Sequence, residues 1–280
     1  AEDFKGKKYA IKKINKSTIK SKTSLRKEAE FNLKFRHPHI IKCYEIFEDE
    51  TTISFVLDLA EGGDLFDLIV NSPKSKLPLY ITIILFEQIL ETINFLHNEQ
   101  NVVHRDIKPE NLMVKITEKN MPEIMVIDFG LSEYKPIKGD ISTYLKDFVG
   151  TPAYAAPELA NKEPYDEEVD IWALGILLFN MITGYEPFSS KYSSQLKEQI
   201  LFRPIQFEKI ENEQMRGFCK KLLERNPLKR IDAKAALEEI RKIKKNLEMD
   251  FETYKEEEQN IKNDLKNNKK EKNKNVPPLE

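Results

Sequence analysis

The sequence has little cysteine, little net charge and no calcium-binding loop of the D-x-D-x-D-G type. Cys43 and Cys219 are the only cysteines among 280 residues, so neither a disulfide framework nor a cysteine-based metal site is expected. Lysine and arginine number 45 against 47 aspartates and glutamates, which gives a formal net charge of −2. This balance gives no electrostatic reason to expect nucleic acid or an anionic membrane as a partner.

Long apolar runs are also lacking. The first residues, "AEDFKGKKYAIKK", have no apolar core of the kind found in signal peptides. The most apolar run, Ile171–Gly184, is short for a membrane span and follows Asp170, so it is predicted to be a buried helix. We therefore expect a soluble protein of the cytoplasm, with the nucleus as the alternative location.

The order of segments predicts two lobes. Alternating apolar residues predict a strand over Lys7–Ile14, and a helix is predicted over Ser24–His37 before two β-branched, aromatic-rich runs. Beyond a seam near Leu57–Gly63 the patterns become helical. The predicted units are a small lobe over 1–60, a larger lobe over 61–247, and a helical, then disordered, charged extension over 248–280.

The segment "NVVHRDIKPENLMV", Asn101–Val114, places polar residues between apolar flanks. A buried strand would not carry two cations, an acid and an amide so close together, because desolvating charge is costly. A surface loop, in turn, has no need of apolar flanks. The pattern therefore predicts a strand, a rigid polar loop and a second strand.

Four motifs follow one another along the chain. They are "YAIK" with Lys12, "HRDIKPEN" with Asp106 and Asn111, "DFG" from Asp128, and "APE" ending at Glu158. Together they resemble the signature set of eukaryotic protein kinases. "LAEGGDLFD" and "DFGLSEY" resemble the calcium/calmodulin-dependent kinase group in particular. The resemblance implies a bilobal α+β fold, with a small antiparallel β lobe carrying one helix and a larger, mainly helical lobe.

The resemblance also implies roles for the residues of the polar loop. A protein kinase transfers the γ-phosphate of ATP with the help of Mg²⁺, chiefly by positioning and neutralising charge. Asp106 would be the catalytic base, and Lys108 would offset charge on the transferred phosphoryl group. Asn111 and Asp128 would supply oxygen ligands to Mg²⁺.

The nucleotide would be held mainly from the small lobe. Lys12 would bind the α and β phosphates, and Glu28 rather than Glu30 would hold Lys12 in place, as the resemblance implies. The other residues implied around ATP are Ala10, Leu57, Asp58, Ala60 and Met113.

The expected partners are protein or peptide substrates, with no nucleic acid and no membrane. Lys108 and Thr151 match serine/threonine kinases, so the acceptor is expected to be a serine or threonine hydroxyl. Asp64 and Glu110 match positions that hold basic side chains of peptide substrates, and Thr151 is grouped with them as a substrate-binding residue. Acidic residues there would favour arginine or lysine before the target hydroxyl.

The chain departs from the kinase pattern where a glycine-rich phosphate loop is usual. No G-x-G-x-x-G occurs in the sequence, and Lys12 lies close to its first residue. The chain is then either a piece of a longer kinase or a kinase that has lost this loop. The first interpretation is favoured here, because every other polar role of the motif set is filled.

Two further positions depart from the pattern. Asn32, four residues after Glu28, stands where an apolar side chain behind Phe129 is usual. Glu133, three residues after Gly130, stands where many kinases carry a cation. Our hypothesis is that Glu133 pairs with Arg105 and so reduces the need for a phosphate on the activation segment, which in the kinase pattern is the stretch between "DFG" and "APE".

Other matches are structural. Asp170 resembles an aspartate that braces the catalytic loop, and Glu158 with Arg230 resembles an ion pair that anchors the end of the activation segment.

Two alternatives stay open. The chain could be a pseudokinase, a binding or scaffolding module that keeps the fold without turnover. The stripe of Ile240, Ile243, Leu247 and Tyr254 could bind calmodulin or a partner helix, or could simply pack on the large lobe. Its acidic second half favours packing.

Overall fold

The computed structural model describes residues 1–18, 22–116, 121–137 and 140–247. The first of its two lobes is built on an antiparallel sheet with one helix. The sheet has the strand order β1-β3-β2, and Lys12 of β1 lies opposite Phe55 of β3. The elements of this lobe are β1 (Tyr9–Asn15), α1 (Lys22–Lys34), β2 (Cys43–Glu48) and β3 (Thr52–Asp58).

The alternation of β1 decides where Lys12 points. Ala10, Lys12 and Ile14 are half-buried, whereas Ile11 and Lys13 on the other face are exposed. Since successive side chains of a strand point to opposite faces, Lys12 shares the inner face of the sheet with small and apolar neighbours. The lysine is thereby directed towards α1 and the large lobe.

Helix α1 carries aromatic residues that join the small lobe to the large core. Phe31 and Phe35 are both buried, and their rings stack with centroids 5.2 Å apart. Phe35 also contacts Phe129 at 5.2 Å. Asn32 is buried and donates a 2.8 Å hydrogen bond to the backbone oxygen of Glu28. The amide is therefore satisfied within the helix, and Phe35 supplies an apolar contact to Phe129.

The large lobe is mainly helical. Its strands are short and form two two-stranded sheets, β4 with β7 and β5 with β6. Its strands are β4 (Val102–Val103), β5 (Leu112–Ile116), β6 (Pro122–Val126) and β7 (Glu133–Tyr134). Its helices are α2 (Leu65–Asn71), α3 (Leu79–Asn94), α4 (Pro157–Ala160), α5 (Glu168–Thr183), α6 (Ser193–Phe202), α7 (Glu213–Leu222) and α8 (Ala233–Asn246). This bilobal α+β fold is the predicted one.

Helices α3 and α5 form the centre of the large lobe. The predicted helix over Ile171–Gly184 is confirmed as most of α5, which ends where Gly184 adopts a left-handed conformation with φ 74°. Leu79–Glu99, which is α3 with a following π turn, is long and apolar enough to cross a membrane. However, 67% of its apolar window is buried within the protein. Burial of this kind is typical of a core helix, which explains the apolar sequence.

Helix α8 packs on the large lobe through the predicted stripe. Ile240 and Ile243 are buried in the main core, and Leu247 packs against it. Arg241 bonds the carboxylates of Glu87 and Glu91 on α3, which fixes the polar side of the helix. Packing is thus the correct interpretation for the described part of the stripe. Tyr254 and the predicted extension over 248–280 lie outside the described residues.

The segment that joins the lobes is bound to β5. The N–H of Gly62 donates to the oxygen of Val114 at 2.8 Å, and the N–H of Val114 donates to the oxygen of Gly63 at 2.8 Å. A Cβ atom on Gly62 would lie 2.4 Å from the oxygen of Val114. Only glycine permits this close approach of two backbones.

Candidate active site

The polar loop between β4 and β5 is held by a buried carboxylate. Asp170 accepts the backbone N–H groups of His104 at 2.7 Å and Arg105 at 2.8 Å. His97 Nε2 lies 2.8 Å from the same carboxylate. Burial alone would raise the pKa of Asp170, but the contact with His97 and these hydrogen bonds outweigh it and lower the pKa. Asp170 therefore braces the loop in ionised form, as expected.

The side chain of Arg105 also bonds within the protein. Its Nε donates to the oxygen of Leu131 at 2.6 Å, and its Nη1 donates to the hydroxyl of Tyr165 at 3.1 Å. That hydroxyl donates in turn to the oxygen of Asp147 at 2.9 Å. Tyr165 thus connects the polar loop to the segment that precedes Gly150.

The hypothesis that Glu133 pairs with Arg105 is wrong. Both carboxylate oxygens of Glu133 lie 2.5 Å from Nζ of Lys27 on α1. Glu133 therefore bonds to helix α1 and not to the polar loop.

The polar loop gathers three side chains around Asp106. Nδ2 of Asn111 donates to the backbone oxygen of Asp106 at 2.8 Å and to its Oδ2 at 2.9 Å. Nζ of Lys108 lies 2.9 Å from Oδ2 and donates to the hydroxyl of Thr151 at 2.9 Å. Thr151 donates to Oδ1 of Asp106 at 3.0 Å. The structure therefore brings together all four residues that were predicted on the acceptor side.

A second cluster lies around Lys12. Its Nζ is 2.6 Å from Oε1 of Glu28 and 2.8 Å from Oδ1 of Asp128. Glu30, the alternative to Glu28, instead accepts a hydrogen bond from Tyr134 at 2.6 Å. Partial burial tends to lower the pKa of Lys12, but the two carboxylates outweigh this effect and raise it. The predicted lysine, glutamate and aspartate are therefore in direct contact.

Asp128 has an unusual backbone conformation. Its φ is 66°, an uncommon backbone conformation for a residue with a side chain. The N–H of Gly130 donates to its Oδ1 at 3.2 Å. Burial would raise the pKa of Asp128, but the charge of Lys12 outweighs burial and lowers it. The carboxylate is therefore anionic and suited to a cation.

The donor set fits Mg²⁺. Both amide hydrogens of Asn111 face Asp106, which leaves the amide oxygen as the atom that can bind a cation. The N–H of Ile127, next to Asp128, donates to the backbone oxygen of Asn111 at 3.0 Å and so ties the two segments together. Among the described residues there is no group of three or more His, Cys, Asp or Glu arranged for a metal. Mg²⁺ needs none, because one or two protein oxygens and phosphates suffice for it.

The residues expected near adenine come from the sheet and the connection after it. Ala10 lies opposite Leu57 in the register of β1 and β3. Asp58 ends β3, and its Oδ1 accepts a hydrogen bond from the hydroxyl of Tyr44 at 2.8 Å. Its N–H donates to the oxygen of Lys42 at 2.9 Å. The side chain of Asp58 is thus occupied within the small lobe, and a contact with adenine would fall to its carbonyl.

Two more of these residues lie on the large-lobe side. Ala60 is half-buried in the connection that precedes Gly62. Met113 lies opposite Met125 in the β5–β6 hairpin and forms an isolated bridge with Asp64. Their adenine contacts stay predictions.

The two acidic residues predicted to contact substrate have different local roles. Asp64 caps α2, where its Oδ1 accepts the N–H of Asp67 at 2.8 Å. Glu110 lies within the polar loop, and its side chain is exposed. Burial raises the pKa of Tyr154, and the nearby charges of Glu110 and Glu186 raise it further. Glu110 therefore lies where its charge acts on the segment that follows Thr151.

The end of the activation segment is anchored by the expected ion pair. Arg230 Nη1 lies 2.7 Å from Oε1 of Glu158, and Nη2 lies 3.0 Å from Oε2. Both residues are buried, and Arg230 Nη1 also donates to the oxygen of Glu168 at 2.7 Å. Such a bidentate pair has strong directionality.

Comparison with known proteins identifies the family. Residues 1–240 match the protein kinase domain. Calcium/calmodulin-dependent protein kinase type 1 of Caenorhabditis briggsae is 34% identical over 238 residues, which cover 83% of this chain and 64% of the relative. Myosin light chain kinase A of Dictyostelium discoideum is 35% identical over 235 residues, which cover 82% of this chain and 77% of the relative.

Calcium-dependent protein kinase 4 of Plasmodium falciparum is 36% identical over 241 residues, which cover 83% of this chain and 44% of that protein. The chain thus spans less than two thirds of the length of two of these three relatives. The chain belongs to the protein kinase domain family and is similar to kinases of the calcium/calmodulin-dependent group.

Proposed function

We propose that this protein is a serine/threonine kinase that transfers the γ-phosphate of ATP to hydroxyl groups of protein substrates. The observation that carries the proposal is the environment of Asp106, whose carboxylate accepts hydrogen bonds from Asn111 and Thr151 and contacts Lys108. A carboxylate fixed in this way beside a lysine suits the orientation of an attacking hydroxyl.

On the acceptor side, Asp106 would receive the hydrogen bond of the substrate hydroxyl. It would take up the proton as the hydroxyl oxygen bonds to the γ-phosphorus of ATP and the bond from that phosphorus to the departing ADP breaks. Lys108 lies against the same carboxylate and places a positive charge where the transferred phosphoryl group becomes more negative. Thr151 contacts both Asp106 and Lys108, and it joins the segment that would hold the substrate to the catalytic loop.

On the donor side, Lys12 would bind the α and β phosphates of ATP, and Glu28 contacts its ammonium group and keeps it in place. Asp128 and the amide oxygen of Asn111 would hold Mg²⁺. When bound, the metal ion neutralises charge on the phosphates. The hydrogen bond between Ile127 and Asn111 supports the spacing of these two ligands.

For the substrate, we propose a serine or threonine acceptor preceded by basic residues. The exposed carboxylate of Glu110 and the partly exposed Asp64 give this face negative charge. A guanidinium or ammonium group on a peptide would pair with such carboxylates.

Calcium/calmodulin dependence belongs to the names of some relatives. In this chain Ile240 and Ile243 are buried, so they are not available to a partner. We therefore assign protein substrates as partners and place no calmodulin site on the described part of α8.

The proposal is tested by phosphoryl transfer from radiolabelled ATP to a basic serine peptide in the presence of Mg²⁺. Asp106→Asn keeps the size of the side chain and removes the base, so we expect the rate to fall by at least about a hundredfold. Asp147→Asn, at an exposed aspartate, is the matched control and should leave the rate unchanged.

Transfer that persists undiminished in Asp106→Asn would contradict the mechanism. Nucleotide binding without any transfer by the wild-type chain would instead support the alternative of a pseudokinase or scaffolding module.

A further inference from the structure

Helix α1 presents one stripe of side chains to the two residues of β7. Positions spaced by three and four residues lie on the same face of a helix, and such a set meets the pair Glu133–Tyr134. The four helical residues in contact with this pair are Lys27, Glu30, Phe31 and Lys34.

The contacts to Glu133 and Tyr134 are both polar and aromatic. Glu133 binds Lys27 through both carboxylate oxygens at 2.5 Å. Tyr134 donates its hydroxyl hydrogen to Glu30 at 2.6 Å, and its ring meets Phe31 edge-on with centroids 5.2 Å apart. Nζ of Lys34 lies 5.6 Å from the centre of the same ring. Four successive contacts along one stripe restrain both the rotation and the translation of α1.

Glu133 and Tyr134 also pair with β4, the strand that precedes the polar loop. In the β4–β7 ladder, Val102 lies opposite Tyr134 and Val103 lies opposite Glu133. Val103 directly precedes His104, whose N–H is fixed by Asp170. Glu133 and Tyr134 therefore stand between α1 and the strand that leads into the catalytic loop.

We infer that Glu133 and Tyr134 are positioning residues that hold α1 where Glu28 contacts Lys12, an inference that rests on the proposed kinase function. Glu28 is the neighbour of Lys27 on α1, so a shift of the stripe away from β7 carries Glu28 with it. Lys12 would then lose the carboxylate 2.6 Å away that fixes its ammonium.

The predicted pair of Glu133 with Arg105 is replaced by this contact of Glu133 with Lys27. Arg105 already bonds to Leu131 and Tyr165. The carboxylate of Glu133 belongs to the side chain itself, so its bond to Lys27 of α1 needs no phosphate on the activation segment.

The test is a charge-exchange cycle on the Lys27–Glu133 pair. Lys27→Glu, Glu133→Lys and the double variant are compared by their Kd for a non-hydrolysable ATP analogue with Mg²⁺. We expect each single variant to bind about fivefold more weakly, since the pair is only partly exposed, with side chains 31% and 25% accessible. The double variant should regain most of the wild-type affinity, and hydrogen exchange in α1 should follow the same pattern.

Arg26→Glu is the matched control on the same helix. Arg26 is exposed, and its charge acts on Glu48 of β2. We expect it to leave the Kd unchanged. Tyr134→Phe is a milder variant that removes the bond to Glu30 and keeps the ring, so it should raise exchange in α1 and weaken binding about twofold to threefold.

The inference is overturned if the single variants bind the nucleotide like the wild type. It is also overturned if the double variant binds no better than the single ones. Should a single charge variant fail to fold, Tyr134→Phe with unchanged exchange and affinity would overturn it equally. Binding is measured without phosphoryl transfer, so the result is independent of whether Asp106 acts as a base. If phosphoryl transfer depends on Asp106 but the double charge variant regains no affinity, the proposed function stands and this inference is refuted.

Discussion

The hydroxyl of Thr151 donates a 3.0 Å hydrogen bond to Oδ1 of Asp106 across 45 residues of sequence. The hydroxyl oxygen of Thr151 in turn accepts a 2.9 Å hydrogen bond from Nζ of Lys108. The hydroxyl of Thr151 thus connects the segment that precedes α4 with both Asp106, the proposed base, and Lys108, the lysine proposed to offset charge on the transferred phosphoryl group.

Replacement of Thr151 by alanine should lower kcat. A hydrogen bond to a charged group contributes about 1.5–3 kcal/mol, so we expect a fall of about tenfold or more. Thr151→Ser keeps the hydroxyl and is the control, with a rate close to the wild type. Steady-state kinetics with a serine peptide would measure both, and equal rates for Thr151→Ala and Thr151→Ser would contradict this role.

Loss of the carboxylate at Asp128 should change how ATP binding depends on the concentration of Mg²⁺. Asp128→Asn keeps an oxygen that can accept the N–H of Gly130 but removes the charge that attracts the metal. We expect the Mg²⁺ concentration for half-maximal ATP binding to rise by more than about tenfold. Titration of Mg²⁺ at fixed ATP would measure this, with Asp147→Asn as a control. An unchanged titration would show that Asp128 is not a metal ligand.

The free energy of unfolding should decrease as the pH falls below about 6.5. His104 is fully buried, and burial lowers its pKa despite the nearby charges of Asp170, Asp106 and Asp128. A lowered pKa in the folded state means that the unfolded chain binds the proton more readily. The stabilisation is complete above the unfolded value of about 6.5 and is lost as the pH falls towards the folded value. Burial also lowers the pKa of His37, and the nearby charge of His39 lowers it further.

The measurement is urea unfolding between pH 5.5 and 7.5, as an approximate window around the unfolded histidine pKa. His37→Gln should flatten part of the slope, and His104→Gln should flatten more of it, since His104 is the more deeply buried of the two. A slope that is identical in the wild type and in both variants would assign the pH dependence to other groups.

The buried pair of Glu158 and Arg230 should matter for stability far more than an exposed pair. Arg230→Met leaves a carboxylate buried without a partner, which costs about 3–5 kcal/mol. Lys221→Met at the exposed pair with Glu239 should cost less than about 1 kcal/mol. Thermal or urea unfolding would compare the two variants. Similar losses for both would indicate that Glu158 is solvated in solution.

Preference for basic peptides should depend on Glu110. Glu110→Gln should lower kcat/KM about tenfold for a peptide with arginine before the serine, and should have little effect on a peptide with glutamine there. Asp64→Asn separates two roles, because asparagine still caps α2 while the charge is removed. If the ratio of kcat/KM for the two peptides is unchanged in both variants, the proposed preference is refuted.

Much of the fold could be predicted because its determinants are local. The long apolar pattern of α5 and the polar segment between β4 and β5 each carry their own signal. Boundaries were less exact: α1 ends at Lys34, before the predicted end at His37. The ring of His37 accepts the N–H of His39, a local turn that competes with the helix.

The contacts of the site were predictable where a motif fixed both partners, as for Lys12 with Glu28. The partner of Glu133 was not, because Lys27 lies 106 residues away and is only one of several cations that could reach it. Tyr165 carried no signal either, since a tyrosine in that stretch could equally be a simple core residue. The contact of Lys27 with Glu133 depends on how the two lobes meet, and that of Tyr165 with Arg105 depends on the packing of the large lobe, so no local pattern encodes either.

Gly62 sets a limit on how the two lobes can move. The backbones of Gly62 and Gly63 are both hydrogen-bonded to Val114, and at Gly62 the close approach leaves no room for a side chain. This part of the connection therefore travels with the large lobe as one piece. We expect any opening of the lobes to be taken up by the dihedral angles of Leu59, Ala60 and Glu61, so that Asp58 and Ala60 would change their distance from each other whenever the cleft widens.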